Sequence, residues 1–164
     1  MTFDTKLFYF INGLAEQVPV IDKLLVTFNT FGVIFFALVA VYFFFKNRQL
    51  FWQILLTEIL SRGILTEGIR YLYHRPRPFL ALSSVHLLIA KNLEGSFPSG
   101  HAAFYFAIAF SVYLFDKKNG AILIIAATFL SFARVYIGVH YPLDILSGIL
   151  VAWLSVFIIR KLVN

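Results

Sequence analysis

The sequence predicts an all-α integral membrane helix bundle, with about five transmembrane helices and a short N-terminal interfacial helix. Of its 164 residues, 60% are hydrophobic and only 13% are charged, whereas soluble domains keep roughly a quarter of their residues charged. Long apolar segments alternate with short polar connections, which is the pattern of a multi-pass membrane protein. The 20 phenylalanines and 8 tyrosines suit lipid-facing surfaces and bilayer interfaces.

The first element is a predicted interfacial helix within residues 1–20. Residues 3–14 are too few to cross a bilayer, which takes about 20 residues, and their apolar side chains fall near one helical face. Those side chains are Phe3, Leu7, Phe10, Ile11 and Leu14. A frayed N-terminus is the alternative. We expect no cleavable signal, because Asp4 precedes the apolar stretch and no cationic leader is present.

Five spans are predicted to follow, in a core that covers residues 23–160. They are residues 23–45, about 49–73, 99–115, about 119–138 and 142–160. Residues 74–98 form a polar extramembrane connection. We interpret residues 1–164 as a single domain, because the connections between spans are short and no separate soluble unit follows.

The second span is unusual because it carries four charged residues. They are Glu58, Arg62, Glu67 and Arg70. Glu58 and Arg62 are one helical turn apart, so we expect them to pair, which lowers the cost of placing them in a bilayer. An ion pathway is the alternative for this pair. Glu67 could hold the Arg70 side chain in position, or could simply lie at a solvated helix end.

The basic residues predict the orientation of the chain. If the spans alternate, three pairs of basic residues fall on one side: Lys46 and Arg48, Lys117 and Lys118, and Arg160 and Lys161. The positive-inside rule makes that side cytoplasmic. Residues 74–98 and 134–144 then face the extracytoplasmic side.

The net charge of +6 does not predict nucleic-acid binding, because no soluble basic face is available. We divide the basic residues between membrane lipids and one anion site. The absence of cysteine excludes disulfides and thiolate chemistry. No carboxylate cluster suited to Mg²⁺ accompanies the polar segments, so we expect neither a metal nor a cofactor. No oligomeric state is predicted.

Polar residues from three distant segments are expected at the outer ends of spans two to five. They are Arg70, Arg77, Ser99, Gly100, His101, Arg134, His140 and Asp144. Arginine guanidinium groups bind phosphate oxygens through several planar donors. Ser99-Gly100-His101 begins a helix, where free backbone N–H groups favour an anion. Together these residues predict a phosphate-binding site.

The segment "ARVYIGVHYPLD", residues 133–144, adds candidate catalytic groups. Asp144 follows His140 by one helical turn, so it can contact one imidazole nitrogen and leave the other free to attack phosphorus. His101 could then protonate the leaving oxygen, while the arginines stabilise the developing charge. This pattern predicts phosphoryl transfer through a phosphohistidine. The other polar residues nearby, Arg75, His74 and His86, are interpreted as interfacial side chains.

Three motifs in this order resemble the type 2 phosphatidic acid phosphatase (PAP2) superfamily. They are Arg70-x6-Arg77-Pro78, Pro98-Ser99-Gly100-His101 and Ala133-Arg134-x5-His140-x3-Asp144, against the family's K-x6-R-P, P-S-G-H and S-R-x5-H-x3-D. The resemblance implies that His140 is the nucleophile, Asp144 its partner and His101 the general acid. It also implies that phosphate is bound by Arg70, Arg77, Ser99, Gly100 and Arg134. Arg70 and Ala133 depart from the usual lysine and serine.

Within that family the chain most resembles bacterial undecaprenyl pyrophosphate phosphatases of the bacitracin-resistance type. The short N-terminal helix and the segment "VHLLIAKNLEGSFPSGH" carry this likeness. It implies an enzyme of the bacterial inner membrane that recycles the lipid carrier of cell-wall synthesis. Phosphatidylglycerophosphate, phosphatidic acid and lipid A are alternative substrates. A small membrane transporter subunit and a vanadate-dependent haloperoxidase-like enzyme are alternatives of other classes; the absence of inverted repeats argues against the transporter.

Overall fold

The computed structural model describes residues 1–89 and 95–163, and all of its regular structure in those ranges is helical. The helices are α1 (Phe3–Asn12), α2 (Pro19–Lys46), α3 (Arg48–Glu58), α4 (Glu67–Leu72), α5 (Pro78–Ala81), α6 (Gly100–Phe115), α7 (Lys117–Tyr136) and α8 (Pro142–Val163). A π-helical segment, Ile59–Thr66, joins α3 to α4 without a break. The all-α prediction is confirmed. Residues 90–94, part of the predicted polar connection, lie outside the described ranges.

The predicted spans correspond to α2, the continuous helix from α3 to α4, α6, α7 and α8. Three of them, α2, α7 and α8, are by length and composition sufficient to cross a membrane. Helix α6 is apolar but has only 16 residues. The helix from α3 to α4 is long enough, but its four charged residues set it apart from the others.

Helix α6 lies at the centre of the bundle and contacts α2, α3, the π-helical segment, α7 and α8. Its small residues Ala102, Ala103, Ala107 and Ala109 are completely buried. Small side chains let neighbouring helices approach closely, which is how helices associate in an apolar environment. The first turn of α6 is therefore held tightly against its neighbours.

Helix α8 approaches the start of α6 closely at Gly148. A Cβ atom added there would lie 2.5 Å from the Ser99 carbonyl oxygen and 2.9 Å from the Ala102 Cβ. One turn earlier, the Asp144 carbonyl accepts a hydrogen bond from the Ser99 N–H at 2.9 Å. Helix α8 thus fixes the segment that leads into α6.

The N-terminal segment forms helix α1, as predicted, and it docks on α7 and α8. Asn12 is fully buried and its amide donates to the carbonyls of His86 and Tyr136, both at 2.8 Å. Its side-chain oxygen accepts from the His86 N–H at 3.0 Å. The predicted apolar face is divided: Ile11 is buried, while Phe3 and Phe10 remain exposed.

The π-helical segment changes which charged residues meet. In a π-helix each N–H bonds to the carbonyl five residues earlier, so residues five apart share a face. Arg62 accordingly pairs with Glu67. The predicted Glu58–Arg62 pair is wrong: both Glu58 carboxylate oxygens are buried without a hydrogen-bond partner among the described residues.

The Gly148 contact gives a test of how the bundle positions the first turn of α6. Leucine at position 148 would overlap the Ser99 carbonyl, so Gly148→Leu should destabilise the fold by about 1–3 kcal/mol. Gly63→Leu is the matched control, because a Cβ there meets nothing within 4 Å. The melting temperature of each variant is measured in detergent. Equal behaviour of the two variants would contradict this account of the packing.

Candidate active site

The residues singled out from sequence converge at the end of the bundle where α6 begins. Arg70 comes from α4, Arg77 from the loop before α5, and Ser99, Gly100 and His101 from the start of α6. Arg134 closes α7, His140 lies in the α7–α8 turn and Asp144 is in the first turn of α8. Direct contacts join several of them, including Arg77 with His140 and His140 with Asp144. The His101 ring packs edge-on against Tyr105.

The His140 imidazole is buried and has a different environment on each nitrogen. Arg77 Nη1 lies 3.4 Å from Nε2 and donates to the Val139 carbonyl at 3.0 Å. A guanidinium only donates, so a hydrogen bond to Nε2 requires that nitrogen to be the unprotonated one. The proton then sits on Nδ1, which faces Asp144 Oδ2 at 3.4 Å, an ion-pair distance without hydrogen-bond geometry.

The surroundings of His140 lower its pKa well below the usual histidine value. Burial is the largest cause, and the positive charges of Arg134, Arg77 and Arg70 act in the same direction. The imidazole is therefore held neutral, and its Nε2 lone pair faces Arg77. A neutral imidazole is the form that can act as a nucleophile.

Asp144 is fully buried and its carboxylate is fixed by three neighbours. Oδ1 accepts from Arg75 Nη1 at 2.8 Å, and Oδ2 accepts from the Tyr141 N–H at 2.8 Å. Oδ2 is also the atom nearest His140 Nδ1. The carboxylate can thus hold the tautomer in which Nε2 is free.

Arg75 was interpreted from sequence as an interfacial side chain, and that interpretation is wrong. Its side chain is only 19% exposed and forms ion pairs with Asp4 and Asp144. Its guanidinium carbon lies 3.8 Å from the centre of the Tyr141 ring. The sequence held little warning of this, because Asp4 is 71 residues away.

Arg134 is the buried cation with the most incomplete set of contacts in the part of the chain that the structure describes. It is 1% exposed, and its Nη1 donates to Asn29 Oδ1 at 2.6 Å. Nε and Nη2 have no hydrogen-bond partner there. Asn29 was not singled out from sequence, although a polar amide inside the apolar span 23–45 is the signal that could have indicated it.

Arg70 contacts the motif that opens α6. Its Nη2 and Nε donate to the Pro98 carbonyl at 3.0 and 3.3 Å, and its Nη1 contacts Glu67 Oε1 at 3.2 Å. The Ser99 hydroxyl accepts from the Ala102 N–H and caps the helix. A Cβ at Gly100 would lie 2.6 Å from Arg62 Nε, so Arg62 also reaches this helix start.

The charged groups around His140 are mainly guanidinium groups. Two buried carboxylates, Asp144 and Asp4, lie nearby, and each forms an ion pair with Arg75. Within residues 1–89 and 95–163, no group of three or more histidine, cysteine or acidic side chains is arranged to hold a metal ion. The arrangement can hold an anion with several negatively charged oxygens next to a neutral imidazole.

Comparison with known proteins agrees with this arrangement. Residues 51–164 match the PAP2 superfamily. The chain is 33% identical to undecaprenyl-diphosphatase BcrC of Bacillus subtilis, over 90% of this chain and 77% of that protein. It is 30% identical to lipid A 4'-phosphatase of Bacteroides thetaiotaomicron, over 97% and 78%.

A solved structure has the same fold. The crystal structure of Aquifex aeolicus LpxE superimposes with a TM-score of 0.87 at 28% identity, covering 98% of this chain and 96% of that one. The match to the family extends over the three motifs and over all the helices from α4 to α8. The chain belongs to the PAP2 superfamily and is a membrane phosphatase.

Proposed function

We propose that the chain is a metal-independent lipid phosphatase that hydrolyses undecaprenyl diphosphate to undecaprenyl phosphate and inorganic phosphate through a phosphohistidine at His140. The observation that carries the proposal is the buried Arg134 guanidinium with two open donors beside a neutral, oriented imidazole. A terminal phosphate supplies the acceptor oxygens that Arg134 lacks.

In the first step, His140 Nε2 attacks the terminal phosphorus, forming a P–N bond as the bond to the leaving oxygen breaks. His101 donates a proton to that oxygen and becomes neutral. Arg77 and Arg134 stabilise the negative charge on the three equatorial oxygens. Asp144 stabilises the positive charge that appears on the imidazole.

In the second step, a water molecule attacks the same phosphorus and the P–N bond breaks. His101, now neutral, accepts the proton from that water. The products are inorganic phosphate and the regenerated neutral His140. The remaining phosphate-binding roles are assigned to Ser99 and Gly100, which begin α6, and to Arg70, whose guanidinium contacts the Pro98 carbonyl beside them.

The substrate assignment is supported by the identity to a relative named undecaprenyl-diphosphatase. A second relative is named for lipid A, so lipid A and phosphatidylglycerophosphate or phosphatidic acid are the competing substrates. We assign residues 1–164 to one phosphatase domain. Six basic residues lie at the end of the bundle away from His140, which supports a bacterial inner-membrane protein with an extracytoplasmic site. They are Lys46, Arg48, Lys117, Lys118, Arg160 and Lys161.

The direct test is phosphate release by purified protein in detergent with excess EDTA. Undecaprenyl diphosphate, phosphatidylglycerophosphate, phosphatidic acid and lipid A are offered in parallel. We expect EDTA-resistant release, fastest from the diphosphate, and no release by His140→Ala because the nucleophile is gone. His101→Ala should lose about 100-fold or more, and Asp144→Asn should lose less.

Three results would contradict the proposal separately. Full turnover by folded His140→Ala protein would exclude a phosphohistidine intermediate at His140. Loss of turnover in EDTA, restored by a divalent cation, would show that the reaction requires a metal ion. A faster rate on one of the other three lipids would replace the substrate while leaving the chemistry intact.

The environment of His140 predicts how the rate depends on pH. Because its pKa is lowered, the nucleophilic form persists as pH falls through the ordinary histidine value of about 6.5. On the acid side, kcat/KM should therefore fall with an apparent enzyme pKa below about 6.5. The phosphate of the substrate titrates near pH 6, so its pKa is measured separately. An acid limb of the enzyme above pH 6.5 would contradict the assignment.

Orthovanadate should inhibit competitively, because it can take the five-coordinate geometry of the transferring phosphoryl group at His140 Nε2. Inhibition should weaken at least about tenfold in Arg134→Lys, which cannot offer the same planar donors. Asn29→Ala should weaken it less, because Arg134 is retained but loses its 2.6 Å contact. Melting temperatures identify variants that fail to fold. Unchanged inhibition in both folded variants would contradict the role of Arg134.

A further inference from the structure

We propose that Asp4 and Arg75 form a positioning pair through which the N-terminal helix α1 holds Asp144 in its working orientation. The inference rests on the proposed function, since it assigns Asp144 the role of orienting His140. Asp4 Oδ2 accepts from Arg75 Nη2 at 2.6 Å, and Arg75 Nη1 donates to Asp144 Oδ1 at 2.8 Å. Arg75 thus joins a carboxylate of α1 to a carboxylate of α8.

The geometry of Arg75 makes the pair a constraint and not only a charge contact. Its two terminal nitrogens each bind a different carboxylate, and the planar guanidinium fixes the angle between them. The Tyr141 ring lies 3.8 Å beneath the guanidinium and restricts its plane. Asp4 and the Tyr141 ring together therefore restrict the direction in which Arg75 presents Nη1 to Asp144.

Burial gives the arrangement its strength. The side chains of Asp4 and Asp144 are 5% and 0% exposed, and that of Arg75 is 19% exposed. Removing one member of a buried, hydrogen-bonded set leaves the others with uncompensated charge or unsatisfied donors. Loss of the Asp4 charge would therefore leave Arg75 free to shift toward Asp144 or toward water, and either movement changes the Asp144 carboxylate.

Asp4 also reaches Asp144 by a second route. Its Oδ1 accepts from the Leu143 N–H at 2.9 Å, which is one of the amides that the first turn of a helix leaves without an internal partner. Asp4 thus caps α8 from a helix 139 residues away in the chain. Asp144 lies in that same turn. The Leu143 contact therefore holds the backbone next to Asp144, while the Arg75 contact holds the Asp144 side chain.

The arrangement continues to the reacting atom. Asp144 Oδ2 is 3.4 Å from His140 Nδ1, so the direction of the carboxylate decides how well that nitrogen is held. Asp4 touches neither His140 nor the arginines that face Nε2 among the contacts described. It acts through Asp144 and is a positioning residue, with an effect expected on turnover more than on substrate binding.

The test is a double-mutant cycle between Asp4→Asn and Asp144→Asn in the full chain, measured by phosphate release from undecaprenyl diphosphate. Asparagine keeps an oxygen for the Leu143 N–H but loses the charge that holds Arg75. We expect kcat to fall about tenfold with KM within about twofold, and Asp4→Glu to restore part of the loss. In the Asp144→Asn background, Asp4→Asn should have almost no further effect.

Glu16→Gln is the matched control, because it makes the same chemical change in the same N-terminal segment. Glu16 contacts His86 at 2.6 Å and has no link to Arg75 in the described contacts. It should leave kcat within about twofold. A purely structural role for Asp4 predicts a different pattern, with a lower melting temperature and a loss that multiplies with that of Asp144→Asn.

If Asp4→Asn fails to fold, Arg75→Lys replaces it in the cycle, since an ammonium keeps the charge but cannot bridge two carboxylates at a fixed angle. Unchanged kcat in a folded variant, or independent effects in the cycle, would overturn the inference. His140→Ala is assayed alongside. Turnover by that variant would contradict the proposed function itself, whatever the Asp4 cycle shows.

Discussion

Buried positive charge is the constraint on which the rest of the site depends. Arg77 and Arg134 are 2% and 1% exposed, and a guanidinium removed from water is unfavourable unless other groups replace its hydration. Within the described residues, Arg134 donates one hydrogen bond, to the side-chain oxygen of Asn29, and it contacts no carboxylate. Its Nε and Nη2 have no hydrogen-bond partner there. A bound anion would neutralise this buried positive charge and accept the hydrogen bonds that Arg134 does not otherwise make.

The two nitrogens of His140 divide this environment. On the Nδ1 side lies Asp144, whose charge is shared with Arg75. On the Nε2 side lies Arg77, and the positive charges of Arg134 and Arg70 also act on the ring. Because Arg75 already engages Asp144, that carboxylate is not available to neutralise the opposite side. Arg75 thus keeps the negative charge of Asp144 on the Nδ1 side of the imidazole, and the proposed mechanism places phosphate on the opposite side.

The sequence was sufficient for the features that are local in the chain. Apolar segments of the right length predicted the helices to within a few residues at most ends. The eight polar residues of the three motifs were expected at the outer ends of the spans, and in the structure they lie at one end of the bundle. It was insufficient where two distant residues decide the outcome. Asp4 with Arg75 and Asn29 with Arg134 are separated by 71 and 105 positions, so neither spacing nor periodicity could reveal them. The π-helical turn that redirects Arg62 toward Glu67 is a departure of backbone geometry that an α-helical spacing rule cannot anticipate.

The position of the site follows from how the turn before α6 is held. This helix starts at Gly100, and its preceding turn is held by the α8 backbone at Asp144 and by the Arg70 guanidinium at Pro98. Rigid helices thus fix the turn from two sides, which is the support that a preorganised electrostatic site requires. The same first turn of α8 carries Asp144 and is capped by Asp4. The start of α6, which we propose binds phosphate, and the carboxylate that faces the imidazole are therefore connected through a single turn of backbone. A displacement of that turn would therefore move both the start of α6 and the carboxylate beside His140, the two features on which the proposed mechanism depends.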